Sequence, residues 1–145
     1  SAFAGCTALR GVTIPSSVTE LGTNAFYYCR NLTELHLNDG LRTIGDGAFN
    51  HCGQLRSVTI PSSATKLGAY LFWSCRNLDE VHLNEGLECI GVQAFYVCTA
   101  LRCVTIPSTV TKLGRWAFDH CSYLSDVIFL GGQRLLNEEF LARRL

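Results

Sequence analysis

The chain of 145 residues contains no methionine, only three prolines and no net charge, its 12 basic residues being matched by 12 acidic ones. That balance removes the general attraction to phosphate backbones or anionic lipid that a basic surface supplies, so no nucleic-acid partner is expected. No apolar run approaches the roughly 20 residues of a bilayer-crossing helix, so direct membrane insertion is not expected either. No charged stretch leading into an apolar one opens the chain at Ser1-Ala2-Phe3. The missing methionine and a start in mid-repeat predict a portion of a longer chain. Also lacking are a Cys-x-x-Cys pair, histidines at ligand spacing and any convergent nucleophile and base, so the sequence predicts no cofactor, no metal site and no enzyme activity.

What is present is a period. Phenylalanine recurs every 23 residues at Phe3, Phe26, Phe49, Phe72, Phe95 and Phe118, and cysteine keeps step at Cys6, Cys29, Cys52, Cys75, Cys98 and Cys121. An unbroken short period is the signature of a solenoid whose coils stack on their nearest neighbours. With 48% apolar and 17% charged residues, the chain has the balance of one globular domain. Stacked coils lie about 4.8 Å apart, near or beyond disulfide reach for ladder positions that all point one way, so the six periodic cysteines are expected as free, buried thiols. Cys89 and Cys103 fall at positions filled elsewhere by polar or small residues and are expected to be exposed.

Within each period, Val12-Thr13-Ile14 and its equivalents Leu35-His36-Leu37, Val58-Thr59-Ile60, Val81-His82-Leu83, Val104-Thr105-Ile106 and Val127-Ile128-Phe129 alternate apolar with outward residues, which predicts six stacked parallel strands. Pro15, Pro61 and Pro107 end three of them; Asn38-Asp39-Gly40 and Asn84-Glu85-Gly86 turn after two others. Gly22, Gly45, Gly68, Gly91 and Gly114 follow a second apolar ladder, where positive φ is expected. A short helical turn, capped by Thr23 or Asp46, is predicted next over each Ala-Phe-x-x-Cys segment. Units containing Val-Thr-Ile-Pro alternate with units containing His-Leu-Asn, so the duplicated block is 46 residues long. After Gly132 the pattern decays, and Leu135, Leu136, Phe140, Leu141 and Leu145 share a helical face, predicting a C-terminal capping helix over 135–145.

The repeated Ala-Phe-x-x-Cys-x-x-Leu-x-x-Val-x-Ile-Pro-x-x-Val-x-x-Leu-Gly resembles the BspA-type leucine-rich repeat, the 23-residue Treponema pallidum class, from Phe3 to about Leu136. The resemblance implies an α/β leucine-rich-repeat solenoid of about six repeats within one domain, 1–145, with its parallel sheet on the concave side and short helical turns opposite. It also implies surface or secreted proteins with adhesive and matrix-binding roles, and it carries no catalytic residues to transfer.

Two surfaces are candidates for a partner, which would be another protein or a glycan. On the concave sheet, Glu34, His36, Thr59, Glu80, His82 and Thr105 point outward in a grid fixed by strands. Inherited duplication accounts for their alternation equally well. If they form the contact, affinity should change between about pH 5.5 and 7.5 as exposed imidazoles titrate. The alternative is an aromatic stripe of Tyr27, Trp73 and Tyr96, interrupted at Asn50, which edge packing could also explain. His36 and His82 lie about 10 Å apart, too far to share a metal. Asn31-Leu32-Thr33 forms a glycosylation sequon, relevant only to a secreted eukaryotic chain. Function divides between a protein-binding or adhesive module at the cell surface or secreted, and a structural scaffold subunit held inside a larger assembly, which could be intracellular.

Overall fold

The alternating segments form strands, because each pass buries one residue in two and leaves the other to solvent. The structure, a computed structural model, describes residues 1–131. Its longer strands are β1 (Gly11–Ile14), β3 (Glu34–Leu37), β5 (Ser57–Thr59), β7 (Glu80–His82), β9 (Cys103–Ile106) and β11 (Asp126–Phe129). Between them run two-residue strands, β2 (Glu20–Leu21), β4 (Thr43–Ile44), β6 (Lys66–Leu67), β8 (Cys89–Ile90) and β10 (Lys112–Leu113). All pairing is parallel and steps by one repeat, as in Val12 opposite Leu35 and Leu67 opposite Ile90. The predicted cap over 135–145 lies outside the described residues.

Two features of the sheets differ from the expectation. The second apolar ladder is itself a continuous five-stranded sheet, β10-β8-β6-β4-β2. The six longer strands, by contrast, pair only in twos, β1 with β3, β5 with β7 and β9 with β11, one pair for each 46-residue block. The prolines account for the division. Ile60 donates its N–H forward to His82, so the next N–H along the strand would point back toward β3. That residue is Pro61, which has none to give. Ile106 likewise faces forward, accepting from Leu130, and Pro107 follows it.

No helix occurs among the described residues, and the helical turns expected over Ala-Phe-x-x-Cys are replaced by chains of β-turns. Two residues in each chain take left-handed backbone: Asn24 and Tyr28, Gly47 and His51, Tyr70 and Ser74, Gln93 and Val97, Trp116 and His120, with φ between 52° and 65°. A right-handed helix cannot pass through such residues. N–H groups therefore alternate in direction: Tyr27 and Cys29 bond back three residues to Asn24 and Phe26, while Asn24, Phe26 and Tyr28 donate to Asp46, Ala48 and Asn50 of the next coil. Asp46 does not cap its own turn; its Oδ1 accepts from the N–H of Ala69, one coil on, at 2.8 Å.

The glycine ladder also has a different cause from the one expected. Positive-φ glycines are Gly5, Gly40, Gly47 and Gly86, none of them in the ladder. At Gly45, Gly68 and Gly91 a Cβ would instead lie 2.7 Å from Leu21 O, 2.6 Å from Asp46 N and 2.5 Å from Ala69 N, so the ladder marks where coils touch backbone to backbone. Inside, the phenylalanine rings stack with centroids 5.1 to 5.7 Å apart and planes within 17°. Phe49, Phe72, Phe95 and Phe118 have no exposed surface.

Candidate functional site

The longer strands carry the first candidate surface. Glu34, His36, Thr59, Glu80 and His82 are exposed and Thr105 is half-buried, because their neighbours Leu35, Val58, Val81 and Val104 occupy the inward positions. Within each block the residues stand side by side: Thr13 opposite His36, Ser57 opposite Glu80, Thr59 opposite His82, Thr105 opposite Ile128. The joins between blocks separate Glu34 and His36 from Ser57 and Thr59. Among the described residues one ion pair forms on this face, His82 Nε2 to Glu80 at 3.7 Å, with side chains 63% and 67% exposed. Such a pair holds little energy, about 0 to 1 kcal/mol, so both groups remain available to a partner. Among the described residues no three His, Cys, Asp or Glu side chains could hold a metal ion.

The second surface runs along the turns, and it is more extensive than Tyr27, Trp73 and Tyr96, which the repeat places in line. The gap at Asn50 is closed by His51, whose ring lies 6.1 Å from Tyr27, 6.0 Å from Trp73 and stacks on Tyr28 at 4.9 Å. Trp73 continues to Tyr96 at 5.8 Å and is flanked by Tyr70 at 5.7 Å; Tyr96 meets His120 at 4.9 Å. The result is an unbroken belt of rings across five coils. Periodicity shows only part of it, since its members come from three different positions of the repeat. Asn50, itself buried, hydrogen-bonds the Nδ1 of His51. Burial, and then the charge of Arg76, lower the pKa of His51 below its ordinary value, so the imidazole meets solvent uncharged at neutral pH. His120 pairs with Asp119 at 3.3 Å.

The two surfaces are held on coils whose period is diagnostic. A family model described as a BspA type leucine-rich repeat region matches residues 1–125 in six copies. This chain belongs to the BspA-type leucine-rich repeat family. Among solved structures it is similar to the leucine-rich repeat protein of T. pallidum, with 34% identity and a TM-score of 0.85 over 94% of this chain and 69% of that one. A leucine-rich repeat protein from Bacteroides ovatus is 34% identical, with a TM-score of 0.78, over 82% of this chain and 33% of its own. A leucine-rich cell surface protein from Faecalibacterium prausnitzii is 32% identical, with a TM-score of 0.64, over 83% and 39%. Comparison with curated protein sequences gives no match.

The BspA-type repeats here use cysteine as a hydrogen-bonding core residue. Cys29, Cys52, Cys75, Cys98 and Cys121 are buried. Each donates its S–H to the carbonyl of the phenylalanine one coil back, at 3.0 to 3.4 Å, in the pairs Cys29–Phe3, Cys52–Phe26, Cys75–Phe49, Cys98–Phe72 and Cys121–Phe95. The same carbonyls accept the N–H of the cysteine in their own coil, as Phe49 does from Cys52, which fills both lone pairs. Burial, followed by the neighbouring thiol, pushes the pKa of Cys52 up to about 12 and that of Cys75 well above its ordinary value. Cys103 is exposed as expected, but Cys89 is half-buried, as is Cys6. Cys89 sits in β8 between two strands of the second sheet, against Lys66 and Lys112, which covers part of it.

Proposed function

We propose that this chain is a non-catalytic protein-binding or adhesive module, and that its working surface is the outward row Glu34, His36, Thr59, Glu80, His82 and Thr105. The observation that carries this reading is the geometry of that row. Carboxylates, imidazoles and hydroxyls, all exposed but the half-buried Thr105, stand on strands paired within each 46-residue block, where their positions are fixed before a partner arrives and little ordering entropy is lost on binding. The similarity to a leucine-rich cell surface protein supports the same role at a cell surface. Ion-pair energies on the row are small, so its worth lies in steering and specificity.

The test is a competition between faces. Wild-type protein is used to capture a protein partner from intact cells, and the partner is then offered two variants. In one, Glu34 and Glu80 become lysine and His36 and His82 become alanine; in the other, Tyr27, Trp73 and Tyr96 become alanine. Loss of at least tenfold in affinity with the first alone is the expected result. Loss with the second alone moves the protein-binding surface to the turns, and equal retention by both overturns the proposal. A partner that never dissociates during purification favours a scaffold subunit instead.

A further inference from the structure

The ring belt holds residues that the fold does not ask for. At the left-handed position filled by Gly5, Ser74 and Val97 in three coils stand Tyr28, His51 and His120 in the others, and at the second position, filled elsewhere by Asn24, Gly47, Gln93 and Trp116, stands Tyr70. Left-handed backbone carries a steric cost for an ordinary L-residue, which glycine avoids. Burial does not offset that cost, since Tyr28 is 41% exposed, Tyr70 39% and the His120 side chain 63%. Asn24, Ser74 and Gln93 show that a small or polar residue serves the same backbone, so large rings kept there in solvent point to a surface with a task.

From this geometry we infer that the belt of Tyr27, Tyr28, His51, Tyr70, Trp73 and Tyr96 binds an extended, neutral glycan laid along the solenoid axis. Spacing is the first argument. Coils rise by about 4.8 Å, whereas a peptide strand repeats its side chains on one face every ~6.6 Å and falls out of step within a few coils. A chain of linked pyranose rings advances by nearly one sugar per coil. Chemistry is the second argument: half-exposed and exposed aromatic rings combine apolar surface suited to the C–H side of a sugar with hydroxyl and indole N–H groups able to hydrogen-bond its hydroxyls. Charge is the third. Arg76 approaches the belt on one side and Asp119 on another, so no single sign prevails to attract a polyanion. This surface is separate from the strand row, and the glycan reading stands or falls independently of it.

The probes are three neutral linear hexasaccharides, cellohexaose, maltohexaose and chitohexaose, together with a sulfated heparin hexasaccharide, each titrated by isothermal calorimetry. At least one neutral probe is expected to bind saturably. Trp73→Ala should weaken it by at least tenfold, and so should Tyr28→Gly combined with Tyr70→Gly. The glycine pair relieves the strained backbone, so its melting temperature should equal or exceed that of the wild type, separating lost binding from lost folding. The strand-row variant should bind the glycan unchanged. Saturable binding by no neutral probe, binding indifferent to the glycine pair, or binding by the sulfated probe alone overturns the inference.

Discussion

Gly68 and Gly22 occupy the same place in the repeat and should answer oppositely to one methyl group. A Cβ at Gly68 would sit 2.6 Å from backbone atoms of Gly45 and Asp46, while one at Gly22 meets nothing within 4 Å. Backbone cannot step aside as a flexible side chain can, so Gly68→Ala should cost about 3 kcal/mol or more, and Gly22→Ala should be neutral or slightly stabilising. Urea denaturation of the two variants checks this, and equal losses would refute close coil contact as the cause of the ladder. The thiols give a second residue-scale test. Cys52 keeps its proton in the folded state up to about pH 12, against an ordinary value of 9.0. Stability from the neutral thiol is therefore complete below about pH 9, where both states are protonated, and is drawn down as pH rises toward 12 and the unfolded chain ionises. The urea midpoint should fall between pH 7.5 and 10, and less steeply in Cys52→Ala. Iodoacetamide on the native protein should label Cys103 first, leaving Cys52, Cys75 and Cys98 to the last.

The strands and their spacing can be read from the sequence because alternation and a fixed period are signals repeated in every coil. The turn segments cannot be read so directly. Ala-Phe-x-x-Cys has helical spacing, yet Tyr28, Ser74 and Val97 take left-handed backbone at a repeat position that glycine marks in one coil alone, at Gly5; forward hydrogen bonds to the next coil decide the conformation, and these are tertiary. The second sheet is hidden for a simpler reason, its strands being two residues long, Glu20–Leu21 or Lys66–Leu67, too short for any period to show. Outward placement of Glu34, His36, Glu80 and His82 follows from alternation, whereas His51 enters the ring belt from a neighbouring position and no single column reveals it. Pairing of the longer strands in twos makes a prediction at this scale. Val58 and Ile60 face forward to β7; Ser57 and Thr59 face back to β3, with which no ladder forms. Amide hydrogen exchange should accordingly be faster at Ser57 and Thr59 than at Val58 and Ile60, and likewise at Cys103 and Thr105 than at Val104 and Ile106. Uniform protection across the join would contradict the division.

Taken whole, the described chain is a stack in which each coil is bonded only to its two neighbours, so stability is a sum of coil and interface contributions. Phe72, enclosed between Phe49 and Phe95, belongs to an interior interface, while Phe3, 51% exposed, belongs to the first coil. The same bonds have a mechanical meaning. On the turn face every inter-coil hydrogen bond, such as Phe26 to Ala48 and Phe72 to Ala94, lies along the solenoid axis. Tension applied to the two ends loads these bonds in their own direction, one interface at a time, instead of shearing a whole row together. A freed coil of 23 residues can lengthen to roughly 80 Å at about 3.5 Å per residue, in exchange for a rise of about 5 Å in the stack. Because the joins at Pro61 and Pro107 have the fewest bonds to break, single-molecule pulling should release coils in pairs, with steps near 150 Å, and steps near 75 Å throughout would count against that. A chain tethering two surfaces in this way would yield by paying out length under load while its remaining coils kept their grip.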